Sequence, residues 1–377
     1  MNSYIRIGFK IKSTMKKPLY KLVICCTVLF FSQIQISWSQ DAETIVEDST
    51  SQNLISIEAQ EKFNAGVEAL ESKNYEQAVD AFSEAITLAP EFSKAFLNRG
   101  YAYTELKNTE KAVSDFTRSV ELDPTLHQAF FELALIAENS DQTEKAVEFY
   151  SQAIRAKGDN YKYYYQRGLL YFEAEDYEKA KEDFTSSVSL KKDFAFGYNE
   201  RGSTNRMLEQ YDEAIKDYQL ATLHDDKLVI AFNNLGSVYR KKGELDNAIR
   251  AYDNALKAEP KNHLSLNNRG YAKFEKGNYA AAIEDFKAAV QIKSDYAYAY
   301  NNLAAAHIKL EQFKEAESAC DKAIGIDNEY GYAYYNRGVA KEMLRNVSGA
   351  CNDWLRAAEL GVAAAQTYYK NSDCNNQ

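Results

Sequence analysis

Proline is scarce in this sequence, at four in 377 residues, and so are tryptophan, at two, and histidine, at four. Little proline, beside 45% hydrophobic and 27% charged residues, excludes a collagen-like, mucin-like or wholly disordered chain. His127 and His263 occupy equivalent places in the pattern described below but lie four units apart, so they cannot share a metal. No HExxH, CxxC pair, phosphate-binding loop or GxSxG is present, and no carboxylate pair is marked by its surroundings as an acid and a base. The chain is therefore not expected to be an enzyme or to carry a metal or cofactor. A single core rarely grows past about 250–300 residues, so this length predicts several domains or an architecture without a central core. The 28 tyrosines against two tryptophans suggest many small, similar packing sites.

Acidic residues are missing from 1–39, where Arg6, Lys10, Lys12, Lys16, Lys17 and Lys21 precede an apolar run from Leu22 to Phe31. The run is short for a bilayer span. With Ser37 and Ser39 at the positions a signal peptidase reads, the segment predicts an export signal cleaved before Gln40; an uncleaved signal anchor is the alternative and the sole membrane attachment expected. Met15-Lys16-Lys17 offers an alternative start, and no small residue precedes Cys25 and Cys26 as a lipoprotein signal requires. Loss of the six basic residues takes the formal charge from −10 to −16, which argues against nucleic acid as a partner. Residues 40–58, acidic among Ser and Thr, predict a linker.

The remainder is periodic. Gly66, Gly100, Gly168, Gly202, Gly236, Gly270 and Gly338 are separated by 34 residues or a multiple of it, with Ala134 and Ala304 in the gaps. Twelve residues later comes an alanine series from Ala78 to Ala350. Four residues further lies a large side chain (Phe82, Phe116, Tyr150, Phe184, Tyr218, Tyr252, Phe286, then Cys320 and Trp354), and three further a small one. Intervals of four and three put these residues on one helical face, where small ones admit a neighbouring helix and the large one fills the gap. Turn signals such as Lys242-Gly243-Glu244 separate the helices, and Pro90, Pro124 and Pro260 close units.

These nine units, 59–92, 93–126, 127–160, 161–194, 195–228, 229–262, 263–296, 297–330 and 331–364, resemble tetratricopeptide repeats. The resemblance implies an all-α, right-handed solenoid of nine helix-turn-helix units, with small adjustments where Ala134, Ala304 and Cys320 depart from the pattern. Ala350 to Gly361 and the stretch to Tyr369 resemble the terminal unit of secreted Bacteroidetes tetratricopeptide proteins, which implies a capping helix and tail over 365–377 and export to a Gram-negative periplasm or cell surface. Within that unit Cys351 and Cys374 can be neighbours; a disulfide and two separate thiols both remain open, while Cys320 is expected in the core as a free thiol.

The family likeness also implies that the first helix of each unit lines a concave groove. Its sixth position reads Asn64, Asn98, Glu132, Gln166, Glu200, Asn234, Asn268, Asn302 and Asn336; its fifth reads Asn199, Asn233, Asn267 and Asn301 in the fifth to eighth units and Tyr335 in the ninth. Amides at fixed pitch match the donors and acceptors of an extended peptide backbone, although they can equally bond between helices and fix the stacking. In the earlier units Phe63, Leu97, Tyr101, Phe131, Leu135, Tyr165, Leu169 and Phe172 suggest an apolar trough, and Tyr271 continues the aromatic lining. Arg99, Arg167, Arg201, Arg269 and Arg337, each just before the glycine, are expected to pair with acids of the neighbouring unit. Arg206, Arg240 and Lys241 form a local basic patch. The expected function is a non-enzymatic scaffold that holds an extended or helical segment of another protein. The alternatives are a structural spacer of an envelope complex acting through its convex face, and a glycan-binding protein. Nothing in the sequence predicts the oligomeric state.

Overall fold

The structure, a computed structural model, describes residues 55–371 and Cys374. The expected export segment and nearly all of the acidic linker lie outside the described residues. Among those described there are nineteen helices and no strand. In chain order they form nine antiparallel pairs: α1 Ile57–Glu71 with α2 Tyr75–Leu88, α3 Ser93–Glu105 with α4 Thr109–Leu122, α5 His127–Asn139 with α6 Thr143–Ala156, α7 Tyr161–Glu173 with α8 Tyr177–Leu190, α9 Ala195–Met207 with α10 Tyr211–His224, α11 Val229–Lys241 with α12 Leu245–Ala258, α13 His263–Glu275 with α14 Tyr279–Ile292, α15 Ala297–Lys309 with α16 Phe313–Ile326, and α17 Gly331–Met343 with α18 Val347–Glu359. Helix α19, Ala363–Asn371, closes the array and begins two residues before the expected cap.

The glycine register has a steric cause. A Cβ on Gly66 would stand 2.5 Å from the Phe82 ring and one on Gly236 2.6 Å from that of Tyr252, so the first helix can touch the aromatic of its own second helix only without a side chain there. At Ala304 the partner sixteen residues on is the small Cys320, so a methyl group and a thiol share the space that glycine and a ring fill elsewhere. Ala134 keeps a large partner, Tyr150, whose hydroxyl donates to Glu138 at 2.7 Å. Turns inside the pairs repeat one geometry: positions 73, 107, 141, 175, 209, 243, 277, 311 and 345 all have positive φ. Gly243 and Gly277 enter this left-handed region without steric cost, whereas Lys73 or Glu175 each carry roughly 1 kcal/mol of strain, offset by the helix-capping hydrogen bonds the turn makes.

The core is a string of clusters, each drawn from one pair and the next. Phe274, Ile283 and Phe286 of the seventh pair, for example, pack with Leu303, Ala306 and Cys320 of the eighth. Cys320 is a buried free thiol. At the end of the array Trp354 is fully buried beneath Tyr368 of α19, and Cys351 is bonded to Cys374 with their Cα atoms 5.5 Å apart. The described helices thus form an all-α repeat solenoid in which each unit leans on its neighbours.

Candidate functional site

The arginines before the glycines are fixed first, because they decide what the first helices leave free. Each binds an aspartate sixteen residues on with two parallel hydrogen bonds: Arg99 to Asp115, Arg167 to Asp183, Arg201 to Asp217, Arg269 to Asp285 and Arg337 to Asp353, all between 2.6 and 3.0 Å. These acids belong to the same unit's second helix; the expected pairing with an acid of the neighbouring unit holds in addition for Arg269 with Asp253 and Arg337 with Asp321, and not for Arg99, Arg167 or Arg201. The neighbouring unit contributes a third contact in four cases, from Ser83, Ser151, Asp253 and Asp321. Buried aspartates at 3–4% exposure are tolerable only so paired. The signal was present in the chain: units with Leu133, Leu235 or Leu303 in place of arginine carry Phe149, Ala251 or Ala319 in place of the acid.

The asparagines join successive first helices. Asn234 Nδ2 donates to Asn199 Oδ1 at 3.2 Å, Asn302 to Asn267 at 3.0 Å and Asn336 to Asn301 at 2.9 Å. The acceptors Asn199, Asn267 and Asn301 are buried, so the fifth-position amides serve the stack, while the sixth-position amides stay half-buried with an oxygen and one N–H uncommitted. One rung is missing. Asn233 turns its amide to Val229 O and to Ser265 Oγ at 2.8 Å, its Oδ1 has no donor, and Asn268 makes no side-chain hydrogen bond. Ser265 is the cause: Ala95, Ala129, Ala231, Ala299 and Ala333 stand at that position in other units and offer no hydroxyl.

The aromatic candidates divide. Phe131 and Tyr165 are buried and packed edge- or tilt-wise on Tyr150 and Tyr163, and on Phe184 and Phe194, respectively, so they are core and not lining. Tyr101, Leu135, Leu169 and Phe172 remain half-buried along the first helices, and Tyr271 lies beneath the Arg240 guanidinium, 4.9 Å from its ring centre. Arg240 also pairs with Glu275 at 3.1 Å.

Two sixth-position carboxylates were not singled out by sequence, which shows residue type but not concavity. Burial, and then the nearby Glu105 carboxylate, push Glu132 up to about 7. Glu200 rises to about 7 by burial even though Asn199 Nδ2 donates to it at 2.9 Å and Arg206 pulls in the opposite direction. Neither forms an ion pair. Such an arrangement can hold donors and positive charge brought from outside; it contains no nucleophile aligned with a base.

Tetratricopeptide repeat models match residues 62–92, 93–126, 127–160, 161–194, 233–297 and 273–341, together well over half of the chain. No curated protein matches it in sequence. Among solved structures, the C-terminal part of a TPR repeat-containing protein from Cytophaga hutchinsonii is 18% identical with a TM-score of 0.53, over 63% of this chain and 98% of its own. A chain of the APC/C hetero-tetramer Cut9-Hcn1 is 14% identical with a TM-score of 0.50, over 94% and 82%. YrrB, described as a TPR protein with an unusual peptide-binding site, is 22% identical with a TM-score of 0.46, over 50% and 97%. The first two share the repeat fold with this chain.

Proposed function

Because this chain belongs to the tetratricopeptide repeat family, we propose that it is a non-enzymatic scaffold, exported to a bacterial envelope, which holds an extended or helical segment of another protein against its first helices. The observation that carries this reading is the row of sixth-position amides: Asn234, Asn302 and Asn336 each keep an acceptor and an N–H after bonding the unit before, and Asn268 keeps its whole amide. Recurring at the 34-residue period, they offer a peptide backbone donors and acceptors without regard to side chains. Tyr101, Leu135, Leu169 and Phe172 add apolar surface toward the other end. Export is supported by the basic-then-apolar start of the sequence, and the Cys351–Cys374 bond suits an oxidising compartment.

The test is cross-linking and affinity recovery from native envelopes with the wild-type chain and with Asn268→Arg, which fills the groove at an amide that bonds to nothing and so leaves the stack alone. A protein recovered by the wild type and lost with Asn268→Arg is the expected result. Equal recovery overturns the groove reading, and a chain found in the cytoplasmic fraction overturns the location.

A further inference from the structure

We infer that the stretch of groove formed by α3, α5, α7 and α9 takes a segment bearing lysine or arginine, so that the occupant of the proposed binding groove is cationic at this end. The inference rests on the groove reading and adds the chemistry of what enters it. Its first support is charge. Glu132 and Glu200 sit at the sixth position without an ion pair, with Arg206 of its own helix the charge that offsets Glu200; Glu105 is exposed beside Glu132, and Glu138 accepts from the neutral Tyr150 hydroxyl. The basic residues of these helices do not neutralise Glu132: Arg99 and Arg167 are held by Asp115 and Asp183, and Lys94 and Lys162 lie a turn nearer the helix starts than the sixth position.

The second support is independent of charge. Gln166, at the same sixth position of α7 and only 8% exposed, leaves its Oε1 without any donor. A buried amide oxygen with no partner is costly, and a ligand N–H relieves that cost. Glu105, Glu132 and the orphaned Gln166 oxygen form a run of acceptors without matching donors across α3, α5 and α7, while beside Glu200 in α9 stands Arg206, whose buried Nε has no acceptor. Ammonium and guanidinium groups carry only donors, and their stems suit the apolar ground between Leu135, Leu169 and Phe172.

A pH signature follows. Facing Glu132 are Glu105 and Tyr101 from α3 and Tyr150 from α6, while α7 meets the same Tyr150 through the neutral Gln166 amide. Facing Glu200 are Tyr165 from α7, Tyr218 from α10, and Asn199 and Arg206 of its own helix, with α11 reaching Asn199 through Asn234. Each carboxyl titrates near 7 when the groove is empty. A cation drives the value down, so affinity rises by about tenfold between pH 6 and pH 8 for each carboxylate engaged.

The experiment measures fluorescence anisotropy of three labelled sixteen-residue peptides, each four copies of X-Ser-Ala-Gly with X lysine, glutamine or glutamate, on the wild-type chain and on Glu132→Gln/Glu200→Gln, at pH 6 and 8. The expected result is binding of the lysine peptide alone, strengthening toward pH 8, with the double variant weaker by about tenfold or more at pH 8 and flat in pH. Lysine-peptide binding that the double variant leaves unchanged overturns the inference, and so does a wild-type affinity that does not rise with pH, a readout that needs no variant to fold. A glutamine or glutamate peptide that binds the wild type and fails to bind an Asn268→Arg chain measured alongside leaves the groove reading standing and overturns only the charge preference. Failure of all three peptides overturns both.

Discussion

The missing rung allows the two roles of the asparagines to be separated by a matched pair of substitutions. Asn302→Ala removes the donor to Asn267 Oδ1, an acceptor only 7% exposed with no other partner. Leaving such a group unsatisfied costs about 1–3 kcal/mol. Asn268→Ala, one unit earlier at the same position, removes no hydrogen bond, and alanine gains about 0.6 kcal/mol of helix propensity over asparagine. The propensity gain is common to both variants and cancels, so they should differ by about 1–3 kcal/mol in the stability of the α13–α15 junction, with Asn268→Ala at or slightly above wild type. Because each unit contacts only its neighbours, a global melt dilutes a local loss. Hydrogen exchange on peptides from α13 and α15, beside urea unfolding, reads it directly. A third variant tests the cause of the gap: Ser265→Ala takes away the hydroxyl that holds Asn233, so the 233–268 rung should form and exchange at the α11–α13 junction should slow. Equal losses from Asn302→Ala and Asn268→Ala would refute the assignment of the fifth-position amides to the stack.

Two further outcomes follow from the buried pairs and the cap. Arg167→Leu leaves Asp183 buried without its charge partner and should cost about 3–5 kcal/mol, whereas Arg167→Leu/Asp183→Ala, which copies Leu235 with Ala251, should recover most of that loss; a double variant no better than the single one in urea unfolding contradicts the pairing argument. Reducing the Cys351–Cys374 bond opens a loop of sequence separation 23, for which chain entropy gives about 3.5 kcal/mol, and exchange should quicken in α18 and α19 while α1–α10 keep their rates; quickening spread evenly along the array is the contrary result.

What could be read from the sequence was what sterics repeats. Gly66, Phe82 and their equivalents recur because a helix crossing tolerates one combination of sizes, and nine copies make the spacing unmistakable. The turns were legible at Ser72-Lys73-Asn74, Gly243 and Gly277, but glycine marks the left-handed residue only in the last two, whereas local hydrogen bonding holds an ordinary residue there at Lys73 and Glu175. Pairing across helices was harder, since Arg99 with Asp115 and Arg167 with Asp183 show themselves only when the leucine units are compared with the arginine units. The burial of Phe131 and Tyr165 was hidden because the fifth position holds Asn233 elsewhere, and the raised Glu132 and Glu200 because the sixth holds Asn98 or Asn234; only the burial that the folded array imposes there makes a carboxylate costly. That difficulty is informative about function. Each unit commits its small and aromatic residues to packing and its arginine to its own second helix, and at the sixth position Asn234, Asn302 and Asn336 bond the unit before, which Glu132 and Glu200 do not. On the proposed reading, a glutamate kept there at an energetic cost to the empty groove is matched by a cationic segment that enters the groove and reverses that cost.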